Sequence, residues 1–270
     1  GGALGAEIEG VDLSKDLSNE TFDDIHQAFL DHIVIFFRDQ NLTHEQHKAF
    51  GRRFGTLNIH PYVKGMDGHP EIMQIIKEPE DRINFGGGWH SDMSFLEEPA
   101  LGSILYAREI PPYGGDTLWA NQYLAYETLS SGMKKMLEGL KAVHTAKGEY
   151  SERGASAQKR KGMEVSTAGD DTPSFEHPVV RTHPETGRKA LYVNPAFTEK
   201  FAGMTRRESR PLLDFLFEHC TQEPYPCRFR WTKNAIAFWD NRAAQHFALN
   251  DYHGHRRHME RVTVNGDRPF

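Results

Sequence analysis

The stretch Cys227-Arg-Phe-Arg-Trp231, followed three residues later by the apolar run Ala235-Ile-Ala-Phe-Trp239, gives the clearest indication of the fold. The first stretch alternates apolar with basic side chains, a pattern typical of a strand with one buried face. The second is a short apolar run of strand length. The sequence therefore predicts strands at this point of the chain.

Similar short strands recur along the chain between turns rich in Gly, Pro, Asn and Asp. They are predicted at 33–37, 72–76, 101–107, 117–120, 179–182, 189–193 and 259–264. Helical patterns follow the capping residues Ser18, Thr43 and Thr205 and also cover 122–129 and 133–143. Because the strands do not alternate regularly with helices, the chain is predicted to be mainly β with flanking helices, as in a sandwich or jelly roll.

One segment departs from this pattern. Residues 145–176 are rich in Lys, Arg, Ser, Gly and Asp and show no hydrophobic period. A segment of this kind is typical of a surface insertion, so a mobile insertion or lid is predicted within a single domain that covers 1–270.

Composition excludes several classes of protein. The chain has 270 residues, a net charge of −6, 15 His and 2 Cys. The acidic balance argues against nucleic-acid binding, and the run 33–37 is far shorter than the ~20 apolar residues of a membrane-spanning helix. Two cysteines, Cys220 and Cys227, are too few for a disulfide-dense scaffold or a four-cysteine zinc site. Because two cysteines permit one disulfide bridge at most, a reducing cytoplasmic location is expected, and the first residues show no signal-peptide pattern.

The sharpest chemical signal is Trp89-His-Ser-Asp92. In an extended segment His90 and Asp92 point the same way, so both can reach one metal ion. A third ligand must come from elsewhere, and His246, in the stretch that follows Trp239, is the best candidate. Two histidines and a carboxylate form the facial triad of nonheme iron(II) oxygenases, although a His-x-Asp tripeptide alone is a weak signal.

Two arginines near the C-terminus strengthen the metal hypothesis. Strand alternation places Arg257, Met259 and Arg261 on one face, with an apolar side chain between the two guanidinium groups. Guanidinium groups bind carboxylates or sulfonates in a bidentate manner. A pocket that binds anions is therefore favoured over a solvated basic strand.

With these residues in order, the sequence resembles the taurine dioxygenase (TauD/TfdA-like) family of iron(II)/2-oxoglutarate-dependent oxygenases. The resemblance covers essentially the whole chain. Its motifs are Trp89-His-Ser-Asp92, Gly114-Gly-Asp-Thr-Leu-Trp119, Val179-Val-Arg-Thr-His-Pro184, Leu191-Tyr-Val-Asn194, Trp239-Asp-Asn-Arg242 with His246, and the pair Arg257 and Arg261.

The resemblance implies a double-stranded β-helix, the cupin-like jelly roll, with His90, Asp92 and His246 as catalytic ligands of Fe(II). It implies that Thr117 and Arg257 bind the distal carboxylate of the cosubstrate 2-oxoglutarate. The expected reaction uses O2 to hydroxylate a small organic anion and releases succinate and CO2. Halogenating relatives replace the carboxylate ligand, so Asp92 indicates hydroxylation. A homo-oligomer, a dimer or tetramer, is also implied.

For the primary substrate, the resemblance assigns contacts to His60, Arg261 and Phe197. Gly86 stands where taurine-type enzymes have an amide side chain, and Val63 stands where they have an aromatic one. Taurine is therefore doubtful. A larger or less polar anion is expected instead: a sulfonate, a sulfate ester or an aryloxy carboxylate.

Two other functions stay open at the level of the sequence. A metal-dependent hydrolase could use the same His/Asp/His site to activate water on zinc. The pair formed by Thr117 and Arg257 speaks against it, since a hydrolase needs no keto-acid site. A non-catalytic jelly-roll binding module is the other alternative, and the intact triad speaks against that.

Overall fold

A computed structural model of the chain describes residues 1–154, 160–169, 172 and 174–270. The strands are β1 (Ala6–Glu7), β2 (Val34–Phe37), β3 (Gly65–Met66), β4 (His69–Lys77), β5 (Ala100–Glu109), β6 (Thr117–Asn121), β7 (Lys141–Thr145), β8 (Ser174–Pro178), β9 (Val180–Thr182), β10 (Lys189–Leu191), β11 (Thr198–Phe201), β12 (Pro226–Phe229), β13 (Ile236–Asp240), β14 (Ala244–Ala248) and β15 (Arg257–Asn265). The helices are α1 (Asn19–His32), α2 (His44–Arg52), α3 (Gln122–Glu127), α4 (Ser131–Leu137), α5 (Lys147–Tyr150) and α6 (Arg206–His219).

Two sheets enclose the main core. The larger sheet has the strand order β1-β2-β13-β5-β15-β4-β3, and the smaller has the order β12-β6-β14. Aromatic side chains from both sheets meet between them: Phe36 and Trp239 from the larger, Trp119 and Phe229 from the smaller. The rings of Phe36 and Phe229 stack with centroids 4.1 Å apart. This two-sheet arrangement is the jelly roll expected from the sequence.

Helices α1 and α2 cover the outer face of the larger sheet. The Ser18 hydroxyl accepts the backbone N–H of Thr21 at the start of α1, and Thr43 opens α2 with a complete capping box. Phe29 of α1 stacks on Phe238 of β13 with ring centroids 4.1 Å apart, and Phe50 of α2 packs in the same cluster. The predicted caps are confirmed because each satisfies backbone N–H groups that the helix itself leaves free.

A second group of strands, β11-β7-β8, packs against α6 through Ala142, Leu213 and Leu216. The prediction of a helix over 133–143 is wrong in its second half. Helix α4 ends at Leu137, and Gly139 adopts a φ of +75°, which breaks the helical path. The residues that follow form β7, whose pairing with two neighbouring strands outweighs the local helical pattern.

The segment 145–176 connects two strands that pair with each other. Thr145 is opposite Ser174 in the ladder of β7 and β8, so the segment leaves and re-enters at one end of this pair. Helix α5 follows β7 directly, and Val165 forms an isolated bridge with Val63. Residues 155–159, 170–171 and 173 lie outside the described residues, and the mobility of the segment stays a prediction. Among the helices that the structure describes, none is both long and apolar enough to cross a bilayer.

Candidate active site

The two candidate histidine ligands lie side by side on paired backbone. His246 belongs to β14 itself, where the sequence suggested only a residue after a strand. The N–H of His90 donates to the carbonyl of His246 at 3.1 Å, and the N–H of His246 donates to the carbonyl of His90 at 2.8 Å. This bridge brings two residues far apart in sequence into register, with ring centroids 4.0 Å apart.

Asp92 completes a buried triad with these histidines. Candidate ligand atoms of His90, Asp92 and His246 all lie within 4.8 Å of one another. The Asp92 carboxylate is 3.7 Å from His90 Nε2 and 3.9 Å from His246 Nε2. His90 Nδ1 is 2.7 Å from the carbonyl of Gly88, which can only accept, so this nitrogen donates and Nε2 is the ring nitrogen that faces Asp92.

The charge states of the triad suit a metal ion. Burial opposes ionisation of Asp92, but the guanidinium of Arg261 and the hydrogen bond from the Ser103 hydroxyl hold the pKa of its carboxyl well below the usual range. Burial holds the pKa of His246 well below its usual value, which keeps the imidazole neutral. An ionised carboxylate and neutral imidazoles are the ligating forms of these side chains.

A small cavity of about 30 Å³ adjoins the triad and contains Arg257 and Thr117. Arg257 is only 5% exposed, and its Nε and Nη2 have no hydrogen-bond acceptor among the residues that the structure describes. The Thr117 hydroxyl accepts the indole N–H of Trp231 at 3.0 Å, which leaves its own proton available for donation. Buried donors without acceptors are costly, so this cavity is built for an anionic group.

A larger chamber of about 340 Å³ lies beside His90 and Asp92. Four aromatic side chains line it, Phe85, Trp89, Tyr150 and Phe197, together with polar and charged ones such as Glu149 and Arg160. Phe85, Gly86 and His90 line both the chamber and the small cavity, so the two spaces meet at His90. Gly86 has a φ of +76°, and a Cβ placed there would lie 3.4 Å from the His90 ring. Any larger residue at position 86 would therefore place its side chain in this junction.

Arg261 and His60 lie close to Asp92, as the substrate expectation requires. Arg261 Nη1 donates to Asp92 Oδ1 at 2.6 Å, and Arg261 shares a narrow space with His60 and Val63. His60 Nδ1 accepts the backbone N–H groups of Tyr62 and Val63, each at 3.1 Å. With burial lowering its pKa to about 3, His60 is neutral and its Nε2 carries the proton.

The family model described as "Taurine catabolism dioxygenase TauD, TfdA family" matches residues 1–263. The chain belongs to this TauD/TfdA family. It is 36% identical to "Alkylsulfatase" from Acinetobacter baylyi, over 98% of this chain and 83% of the relative. It is 35% identical to "Alpha-ketoglutarate-dependent sulfate ester dioxygenase" from Pseudomonas putida, over 99% and 88%. The crystal structure of a taurine dioxygenase from Burkholderia xenovorans matches with a TM-score of 0.83 and 39% identity, over 99% and 89%.

Family membership confirms the enzyme class and the cofactors expected from the sequence: an oxidoreductase of the dioxygenase type that uses Fe(II), 2-oxoglutarate (alpha-ketoglutarate) and O2. The side chains of this TauD/TfdA member fit those groups. Two neutral imidazoles and a carboxylate are the donor set of nonheme Fe(II). The Nε and Nη2 donors of Arg257 and the hydroxyl proton of Thr117 fit a carboxylate bound in the small cavity that adjoins the triad.

Sequence reasoning missed residues that support or enclose the site of this TauD/TfdA enzyme. Ser103 and Asn241 contact Asp92, and of these two only Asn241 lies within one of the sequence motifs, Trp239-Asp-Asn-Arg242. Tyr150 and Arg160, from the segment 145–176, line the chamber. Both cysteines are free thiols, and His47 is fully buried.

Proposed function

We propose that this TauD/TfdA dioxygenase hydroxylates an organic sulfate ester or sulfonate larger than taurine. The observation that carries the proposal is the chamber of about 340 Å³ beside the triad, which four aromatic rings line: Phe85, Trp89, Tyr150 and Phe197. Pockets for drug-sized ligands begin at about 300 Å³ and are mostly apolar. A small, strongly polar amine would leave this wall without contacts, whereas an alkyl or aryl body would cover it.

In this proposal His90, Asp92 and His246 hold Fe(II). With 2-oxoglutarate and O2, the metal supplies the oxidant that replaces a substrate C–H by C–OH, while the keto acid becomes succinate and CO2. Arg257 and Thr117 bind the distal carboxylate of 2-oxoglutarate and thereby fix its orientation. The buried positions of the triad, all at or below 8% exposure, keep bulk water away from the reacting atoms.

The anionic head of the primary substrate binds Arg261 and the Nε2–H of His60, in place of the 3.3 Å hydrogen bond between this Nε2 and the Tyr150 hydroxyl, and its body lies along Phe197. Arg261 is 3% exposed and adjoins Asp92, so a head group there places the neighbouring carbon near the metal. Gly86 leaves the junction of the two cavities open, and Val63 is a small buried side chain. Both features favour a larger anion over taurine.

A substrate panel tests this assignment. Taurine, alkyl sulfonates, alkyl sulfate esters and aryloxy carboxylates are incubated with Fe(II), 2-oxoglutarate and O2, and succinate is measured. We expect the highest kcat/KM with a sulfate ester or a larger sulfonate. A clear preference for taurine would contradict the proposal, and a preference for aryloxy carboxylates would move it to a different head group.

The hydrolase alternative predicts a different cosubstrate dependence. Hydroxylation of the carbon next to a sulfate ester gives an unstable intermediate that collapses to an aldehyde and sulfate, so sulfate release needs O2 and 2-oxoglutarate. Hydrolysis at the same triad needs neither and gives an alcohol. Sulfate release that persists without O2 would favour the hydrolase. The donors around Arg257 and Thr117, unexplained in a hydrolase, are the reason we favour oxygenation.

Several sequence predictions accompany this proposal: a single domain, closure of 145–176 over the chamber, a dimer or tetramer, a cytoplasmic location, and no nucleic-acid or membrane partner. Closure has one structural basis, since Tyr150 and Arg160 of this segment line the chamber. Light scattering at several protein concentrations tests the oligomer. Protection of the segment from proteolysis by a bound substrate tests closure.

A further inference from the structure

One buried side chain outside the candidate ligand set holds Asp92 at its backbone. Asn241 is 1% exposed, and its Oδ1 accepts the N–H of Asp92 at 3.1 Å. The two residues are 149 positions apart in sequence, so this contact is made only by the fold. Asn241 therefore controls where the main chain of the candidate metal ligand lies.

The orientation of the Asn241 amide is fixed by its neighbours. The indole N–H of Trp239 donates to the same Oδ1 at 2.9 Å. An indole N–H and a backbone N–H can only donate, so the oxygen of the amide must face them. Nδ2 then points at Ser103 Oγ, 3.2 Å away.

Ser103 continues the chain of hydrogen bonds to the carboxylate. Its hydroxyl oxygen accepts from Asn241, and its proton is donated to Asp92 Oδ2 at 2.8 Å. The same Oδ2 is 3.9 Å from His246 Nε2. Asn241 thus holds Asp92 twice, once at the backbone and once through Ser103 at an oxygen that faces the triad.

The turn that carries Asn241 is itself firmly supported. The N–H of Asn241 donates to the carbonyl of Leu101 at 2.9 Å. Its neighbour Asp240 is 2% exposed and accepts from His183 Nε2 at 2.9 Å and from Arg242 Nη2 at 2.7 Å. The Asn241 amide is hydrogen-bonded at both Oδ1 and Nδ2 and its backbone is fixed, so another rotamer would break these bonds. It can therefore orient Asp92.

We infer that Asn241 is a positioning residue for the metal centre and that it acts on the Asp92 carboxylate through Ser103. The inference rests on the proposed role of Asp92 as a ligand of Fe(II). Partners that orient a metal ligand typically change metal affinity 10- to 100-fold when they are removed. Asn241 belongs to this group although it does not touch the metal.

The test measures the Kd for Fe(II), anaerobically, and for Mn(II) in the full-length protein. Asn241→Ala is expected to weaken both about 10- to 100-fold and to change the visible charge-transfer band of the Fe(II)–2-oxoglutarate complex at saturating metal. Ser103→Ala is expected to weaken metal binding less. In the Asn241→Ala background Ser103→Ala should have little further effect, since the hydroxyl has then lost its closer partner Asn241 and keeps only the longer contact with Thr263 Oγ1, at 3.4 Å, besides Asp92.

Asn194→Ala is the matched control. Asn194 is equally buried and bonds a serine, Ser94, and the N–H of Phe197, but it has no hydrogen bond to a candidate ligand. It should lower the thermal stability as Asn241→Ala does while leaving the metal Kd unchanged. This comparison separates a loss of fold from a loss of positioning.

A metal Kd for folded Asn241→Ala within about twofold of the parent would overturn the inference, and so would additive effects of the two variants. If Asn241→Ala does not fold, Ser103→Ala alone decides: an unchanged metal Kd and band refute the relay. Failure of the proposed function gives a different result, because then the parent binds no Fe(II) or Asp92→Ala binds it as tightly as the parent.

Discussion

The substitution Arg257→Ala should weaken the binding of 2-oxoglutarate while the metal site remains intact. Arg257 is buried at 5% exposure, and two of its nitrogens, Nε and Nη2, lack acceptors among the described residues. Its guanidinium group lies in the small cavity with Thr117 and the two histidines of the triad. A distal carboxylate bound there would receive two charge-assisted hydrogen bonds in one planar arrangement.

The magnitude follows from those two bonds. Hydrogen bonds to charged groups contribute about 1.5–3 kcal/mol each, and removing one partner of a buried charge pair costs about 2–5 kcal/mol. At about 1.4 kcal/mol per tenfold change, the Kd for 2-oxoglutarate should rise roughly 30-fold to several thousand-fold. Arg257→Lys keeps the charge but loses the planar pair of donors, so its Kd should lie between those of the parent and Arg257→Ala.

The assay is an anaerobic titration of the Fe(II)-loaded protein with 2-oxoglutarate, followed at the charge-transfer band of the chelate. Arg256→Ala is the matched control, because Arg256 adjoins Arg257 but is ion-paired with Glu78 and Glu109 outside the cavity. It should leave the Kd unchanged. A Kd for Arg257→Ala within threefold of the parent, with unchanged Fe(II) affinity, would refute the reasoning.

Three further predictions concern the primary substrate and the stability of the fold. Arg261→Ala should raise KM for the primary substrate at least tenfold and reduce substrate-free succinate formation less, because the small cavity keeps Arg257 while Asp92 loses its 2.6 Å hydrogen bond from Arg261; equal losses in both would contradict separate roles. Gly86→Asn should lower kcat/KM for the larger anions at least tenfold by filling the junction beside His90, whereas Gly10→Asn, with a similar φ of +75° and open space around it, should not. Burial lowers the pKa of His47 to about 4, whereas its pKa in the unfolded chain is the ordinary 6.5. Between these two values the unfolded state binds more protons than the folded state, so the free energy of unfolding decreases as the pH is lowered. Replacing His47 with Gln should remove about 2 kcal/mol of that pH-dependent loss between pH 7 and 5, measured by urea unfolding of metal-free protein.

Local chemistry accounts for the parts of the fold that the sequence predicted well. The caps at Ser18, Thr43 and Thr205 satisfy backbone donors within four residues, so no tertiary information is needed to recognise them. The helix predicted over 133–143 ends at Leu137 because Gly139 and the pairing of β7 act against its second half. That pairing joins strands far apart along the chain, which a local pattern does not contain.

The site divides in the same way. His90 and Asp92 are two residues apart, and Arg257 and Arg261 share a strand face, so each pair is visible as a short pattern. Asn241 and Ser103 are separated by 138 positions, and only the pairing of β13 with β5 brings them together. Residues that position a metal ligand act through tertiary contacts. Such contacts leave no short pattern in the sequence, so the sequence alone does not predict them.

The separation of the two anion sites follows from the geometry of β15. Arg257 and Arg261 are four residues apart on one strand, a span of about 13 Å at roughly 3.3 Å per residue. Strand β15 pairs with β4 on one side and β5 on the other, so its register is fixed from both edges. A shift by one residue would turn both guanidinium groups to the opposite face. The sheet therefore holds Arg257 beside Thr117 in the small cavity and Arg261, which also lines that cavity, against Asp92, so the proposed roles of the two arginines depend on the fixed register of this strand.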